Sequence, residues 1–248
     1  MGIPEKTTDT RLENLLSRGR DASVDALCRP HVLGDQGRRQ LDSLPVRRRA
    51  VAADDLLYRP GDGLHAVYLL TAGLLETALI NLDGDRQVTG FHFPGKLVGL
   101  DAFQAREHVC SASATVDSSV QVLPVHRLNA LIRQVPALSE TLTRVLSENV
   151  TEHEQLLMMI NTQTAHQRVA CLLFSFACRL GRNNHAASDL YLAMSRASMA
   201  SYLGLAVETV SRALQALEND NILARDGNRR IHILDHDALA ALFGASAS

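Results

Sequence analysis

Val207, Glu208, Ser211 and Arg212 have the types and spacing to read another molecule. Positions i, i+1, i+4 and i+5 share one side of a helix. A guanidinium bonds bidentately to O6 and N7 of guanine, a carboxylate accepts from N4 of cytosine, a hydroxyl serves either way, and an aliphatic group meets the thymine methyl. The chemistry is hydrogen-bonded reading of base edges in a DNA major groove, where one good bidentate pair contributes roughly 1–3 kcal/mol of discrimination.

Such residues work only if a scaffold presents them. A helix over Val207–Asn219 turns Val210, Leu214 and Leu217 inward at spacings of four and three and leaves the reading residues on the opposite face. A shorter helix precedes it, about Ser198–Leu203, with Ser195 placed to cap it and Met199 and Leu203 on one face. Gly204 breaks that helix, and Leu205 packs into the angle, the pattern of a helix-turn-helix. A hairpin follows, with strands over Ile222–Ala224 and Arg230–Leu234 about the turn Asp226-Gly227-Asn228. It reads as a wing whose Arg225, Arg229 and Arg230, with Arg196 nearby, supply phosphate contacts. An amphipathic helix pair with a solvated polar face is the plain alternative, and the arginine-rich wing argues against it.

The string YLGLAVETVSRALQALENDNIL from Tyr202, with Glu208, Ser211 and Arg212 as an E-x-x-S-R signature, resembles the CRP/FNR superfamily of bacterial transcription regulators, in its FNR/FixK-like branch. So do IPEK at Ile3–Lys6, QVTGFHFPGKLVGLDAF at Gln87–Phe103 and AHQRVACLLFSFACRLG at Ala165–Gly181. The resemblance covers nearly the whole chain. It implies a dimeric, sequence-specific DNA-binding regulator reading TTGAT…ATCAA half-sites and contacting RNA polymerase through a sensor-domain loop. The turn Asn81–Gln87, with Asn81, Asp83, Gly84 and Asp85, is the candidate for that contact, against an ordinary hairpin turn. A ligand-binding or protein-interaction module with an idle helix-turn-helix stays open as the alternative class.

The expected fold is α+β in four parts. Residues 1–45 form a polar arm with a short helix around Asp35–Leu44, closed by Pro45. Residues 46–132 carry short alternating runs punctuated by Gly61, Gly73, Gly84 and Gly95, which spell a small antiparallel barrel or sandwich. The resemblance makes this a jelly-roll sensor domain of the cyclic-nucleotide-binding type. Residues 133–161 form one long helix in which Leu146, Val150, His153, Leu157 and Ile160 recur as a heptad seam, so it is read as the homodimer interface. His153 there is either a locally bonded neutral residue or a source of pH-dependent repulsion across a two-fold axis. Residues 162–248 complete the winged helix-turn-helix.

The formal net charge is −2, so a basic patch for DNA must be local. No run of about 18 apolar residues and no signal-peptide core occurs, which points to a soluble cytoplasmic chain with no membrane partner.

No cofactor or metal is expected. Around the cradle where the family's sensors hold a cyclic phosphate, this chain has Gly99-Leu100-Asp101 and His108-Val109-Cys110-Ser111 without an Arg-Ser pair, so cAMP dependence is not expected. Asp101 is offset by one residue from the family's glutamate, which leaves another small ligand open. A four-iron cluster needs four thiolates, and only Cys28 falls where the family places one; Gly19, Ala22 and Gln121 stand at the other positions. Cys28 is then a candidate redox switch or an inert thiol. Cys171 and Cys178, seven apart on a helix, share a face suited to the core. Ten scattered histidines assign neither haem nor another effector.

An enzyme is not expected. Gly90–Leu97 mimics a phosphate-binding loop, but Leu97 stands where a Mg-coordinating hydroxyl belongs, and Phe91 and Phe93 alternate as in a strand. His232 and His236 lack companion ligands and read as hairpin and helix-cap residues.

Overall fold

The computed structural model describes residues 47–180 and 188–244. The N-terminal arm, its short helix and Cys28 lie outside the described residues. Between Thr151 and Glu152 the chain divides into two compact units.

The first unit is an antiparallel β-roll followed by helices. Its strands are β1 (Arg47–Val51), β2 (Leu56–Tyr58), β3 (Ala66–Ala72), β4 (Leu75–Ile80), β5 (Arg86–His92), β6 (Leu97–Val98), β7 (Ser111–Ala114) and β8 (Ser118–Pro124). They form two four-stranded sheets, ordered β1-β8-β3-β6 and β2-β7-β4-β5. Strand β3 is covered on both faces, which is why its run is almost continuously apolar. Leu70 joins the cluster between the sheets with Leu75, Ala112 and Val120, and Tyr68 packs against it. Val67 and Leu69 join a second cluster, shared with helices. The β3–β4 turn requires glycine: Gly73 has φ +90°, and a Cβ there would lie 2.2 Å from Ser118 Oγ and 2.7 Å from Ser118 Cα.

The sequence reading assigned no helix within residues 46–132, but α1 (Val125–Gln134) runs directly out of β8. Val125, Leu128 and Leu131 are buried at every third position. Val135 is extended at φ −126°, ψ 94°, because the following proline excludes it from helix. Pro136, which needs no helical N–H at a first turn, then opens α2 (Pro136–Thr162), a helix of 27 residues. At 1.5 Å per residue it spans about 40 Å. Its first turns bury Leu138 and Val145 against the cluster that holds Leu128 and Leu131.

The second unit contains α3 (Ala165–Leu180), β9 (Asp189–Tyr191), α4 (Arg196–Leu203), α5 (Val207–Asn219), β10 (Leu223–Asp226), β11 (Arg230–Ile233) and α6 (His236–Ala241). Its core is Met199 and Leu203 of α4 and Val210, Leu214 and Leu217 of α5, all completely enclosed, over Val169, Leu173 and Phe174 of α3. The wing has three strands, ordered β10-β11-β9. Strand β9 was not read from sequence; Leu190 pairs opposite Ile231 and is buried with it. The chain thus folds as an antiparallel β-roll, a long helix and a winged helix-turn-helix, the α+β class expected.

Candidate nucleic-acid interface and sensor cluster

Helix α4 starts where Ser195 Oγ accepts the Ser198 N–H at 2.9 Å and ends at Gly204, φ 63°, ψ 42°. There the Leu205 N–H donates to Ala200 O at 2.9 Å and the Gly204 N–H to Ser201 O at 3.3 Å, a Schellman closure that fixes the turn into α5. Arg168 on α3 braces the same corner. Its guanidinium donates to Leu203 O at 3.1 Å, Gln163 O at 3.0 Å and Ile160 O at 2.5 Å, covering carbonyls at the C-terminal ends of α2 and α4 that their helices leave unpaired.

Helix α5 buries its apolar stripe and exposes Val207, Glu208, Ser211 and Arg212 together on its first two turns. The Ser211 hydroxyl donates back to Val207 O at 3.0 Å, so its lone pairs face outward as acceptors. Glu208 and Arg212 stand at i and i+4, where an ion pair is allowed, yet neither has a partner among the described residues. Both charges remain available to a ligand.

The four other candidate arginines divide into two pairs. Arg229 and Arg230 are exposed beside the Gly227 turn; Arg229 Nη1 donates to Tyr191 Oη at 3.3 Å and Arg230 lies 3.9 Å from Asp226. Arg225 and Arg196 face protein instead. Arg225 Nε and Nη2 donate to Glu218 Oε2 at 3.0 and 2.5 Å, and Nη2 also to Gln215 Oε1 at 2.5 Å. Arg196 Nη2 donates to Asn228 O at 3.0 Å, and burial followed by the nearby Arg225 charge lowers its pKa. Glu218 and Gln215, absent from the sequence-derived set, continue the α5 reading stripe toward its C-terminus; Gln215 at i+3 from Arg212 and Glu218 at i+7 from Ser211 were the available signal.

On α2, Leu146, Val150, His153 and Leu157 are exposed, three of them large apolar side chains. Ile160, the last seam position, is half-buried, with Cγ2 3.7 Å from where a Cβ on Gly204 would stand. At the β4–β5 turn, Asn81 Oδ1 accepts the N–H groups of Asp83 at 3.0 Å and Asp85 at 2.8 Å, and Gly84 has φ +87°. Asn81 therefore staples the turn from within, while Leu79, Ile80 and the fully exposed Leu82 form an apolar tip the sequence reading passed over.

In the β-roll, Asp101 lies in a short 3-10 helix, Leu100–Phe103, opened by Gly99 at φ +97°. Its carboxylate gathers four donors: the Val109 N–H at 3.1 Å, His108 Nδ1 at 3.2 Å, Cys110 Sγ at 3.4 Å and Tyr58 Oη at 3.5 Å. The His108 ring stacks on Tyr58 with centroids 3.7 Å apart. Burial, and then the Asp101 charge, push the Cys110 thiol up to about 12; burial likewise raises the Tyr58 phenol. A cyclic phosphate does not fit these residues. The cradle presents an anionic carboxylate with its donors already committed, and a second anion beside it would be repelled.

Among the described residues no three His, Cys, Asp or Glu side chains gather to hold a metal ion. Cys110 immediately precedes β7, whereas Cys171 and Cys178 lie on α3. Burial, then the neighbouring Cys178, raise the Cys171 thiol to about 12. His232 bonds Asp189 and His236 bonds Ser188, so the two histidines serve separate partners; the cap of α6 is Asp235, not His236. Gly90–Leu97 runs from β5 into β6 with Lys96 buried and a strand, not an α-helix, directly after it, which is no phosphate cradle. Among the described residues no helix is long and apolar enough to cross a membrane.

Residues 167–242 match the Crp-like helix-turn-helix domain family and residues 48–135 the cyclic nucleotide-binding domain family. The chain is 36% identical to the transcriptional activator protein Anr of Pseudomonas protegens over 227 residues, covering 92% of this chain and 93% of that one. It is 31% identical to the fumarate and nitrate reduction regulatory protein of Shigella dysenteriae, covering 98% and 97%. Among solved structures, FixK2 from Bradyrhizobium japonicum superposes with a TM-score of 0.76 at 28% identity, covering 82% of this chain and all of that one.

Proposed function

Because the chain belongs to the CRP/FNR family of DNA-binding transcription regulators, we propose that two copies pair along α2 and read a palindrome of TTGAT…ATCAA type. The observation that carries the base assignment is the exposed, unengaged Glu208–Arg212 pair on the first two turns of α5. Arg212 takes guanine, Glu208 takes cytosine, and Val207 and Ser211 complete the contact. Arg229 and Arg230 meet phosphate. The exposed stripe Leu146, Val150, Leu157, with His153 within it and Ile160 at its end, supports pairing through α2, since large apolar side chains at heptad spacing are covered by a second helix. Pairing sets two recognition helices about one helical turn, roughly 34–36 Å, apart on DNA.

The rigid β4–β5 turn, with Asn81, Asp83, Gly84 and Asp85 around the apolar tip Leu82, is the surface we assign to RNA polymerase. The protein acts in the cytoplasm, without enzymatic activity.

Fluorescence anisotropy with a labelled TTGAT…ATCAA duplex and a scrambled duplex tests the base assignment. The palindrome should bind tightly and the scrambled site only non-specifically. Equal binding of both, or none, would instead favour a protein-interaction role for the helix-turn-helix.

A further inference from the structure

The base-reading stripe of α5 does not stop at Arg212. One turn on is Gln215, and one further Glu218, which holds Arg225 of β10 through its side chain while Oε1 lies 3.3 Å from the Arg225 N–H as acceptor. Gln215 joins the same bridge: it accepts from Arg225 and donates through Nε2 to Glu218 Oε2 at 3.2 Å and Asn219 Oδ1 at 3.1 Å. On the other flank of the wing, Arg196 at the start of α4 donates to Asn228 O in the turn itself. The wing is therefore fastened to both helices of the helix-turn-helix by side chains, beyond the backbone pairing among its own strands.

From this geometry we infer that Glu218, Gln215 and Arg225 are positioning residues that fix the distance between the wing and the reading face of α5, rather than phosphate contacts. The assignment rests on the DNA-reading role proposed above and reassigns Arg225 within it. Two physical points support it. The Arg225 guanidinium has its Nε and Nη2 donors committed to Glu218 and Gln215 and its charge balanced by a carboxylate, which leaves only Nη1 to meet a phosphate. Burial and then the Arg225 charge disfavour the Arg196 cation, so two like charges share the base of the wing, and Glu218 is the carboxylate bonded to Arg225 there. Without the carboxylate, two arginines would repel across the base of the wing and drive it from its seat.

Positioning and phosphate contact predict opposite signs. Removing a carboxylate close to DNA, and releasing an arginine toward it, strengthens binding if Arg225 touches phosphate. If Glu218 seats the wing, Glu218→Ala weakens binding, by about threefold per protomer and so roughly tenfold for a pair acting together. The test measures palindrome affinity against salt concentration for wild type, Glu218→Ala, Arg225→Ala and the double variant. The expected result is that both single variants lose affinity, the double loses no more than either, and the salt slope stays at the wild-type value. Tighter binding by Glu218→Ala, or a slope reduced in Arg225→Ala by about 0.9 per lost phosphate contact, overturns the assignment. Amide exchange in DNA-free protein separates the two levels of inference. Faster exchange at residues 225–230 in Glu218→Ala supports the wing bridge even if the palindrome is the wrong target, and unchanged exchange there overturns the bridge even if the palindrome binds.

Discussion

The reading face of α5 and the Asp101 cluster of the β-roll are both small polar constellations, but they dispose of their hydrogen bonds in opposite ways. Glu208 and Arg212 stand exposed and unengaged, although their spacing lets them pair. Asp101 is wrapped by four donors from residues as distant in sequence as Tyr58, and the His108 ring beside it stacks on Tyr58. A site built to meet a ligand leaves its polar atoms uncommitted; a site whose polar atoms satisfy each other is part of the scaffold. In this chain the DNA end has the first character and the centre of the sensor cradle the second.

The largest test of that contrast is Arg212→Ala. With two protomers each losing a bidentate contact, affinity for the palindrome should fall by about thirtyfold or more and base preference at that position should vanish. Unchanged anisotropy titrations would strip the reading face of its role. Next in size is Leu157→Asp, which touches neither constellation. A charge in the stripe should shift the protein toward monomer in sedimentation and weaken DNA binding without changing base preference. A third change strikes the closed constellation. Asp101→Asn removes the charge that four donors share and should cost about 1–3 kcal/mol, a few degrees in Tm, with DNA preference intact. Millimolar cAMP should move the Tm of neither form, and a rise in wild-type Tm would reopen the cradle as a ligand site.

The smallest effect is a rate and a pH slope. With its thiol raised to about 12, Cys110 should resist iodoacetamide at pH 8 until the protein unfolds. The sign follows from the raised value. The folded state favours the neutral thiol, so stability is full below the ordinary thiol pKa of about 8.5 and declines as pH climbs from there toward 12. Rapid alkylation of the folded protein would show the cluster to be open after all.

The helix-turn-helix was legible because its signals are local. Ser195 caps three residues ahead, Gly204 takes the left-handed turn, and Val210, Leu214 and Leu217 keep helical spacing. Helix α1 was hidden because β8 passes straight into it at Pro124 with no loop between them, and one extended residue, Val135, parts it from α2. Strand β9 was hidden for another reason: three residues carry no periodicity of their own, and pairing with β11, some forty positions away in sequence, makes them a strand. Cys110, His108 and Asp101 could be picked out in sequence, but Tyr58, which closes their cluster, lies 43 residues from Asp101. Polar networks that cross elements leave no spacing signature.

The bridge from Glu218 to Arg225 also bears on how this protein can change over generations. Because the carboxylate and the guanidinium satisfy each other, either position altered alone leaves a charge without its counterpart. A lineage exploring new target sites can vary Glu208 or Ser211 one residue at a time, but positions 218 and 225 must be inherited as a pair. Among descendants of this chain, loss of the acid at 218 should therefore travel with loss of the base at 225.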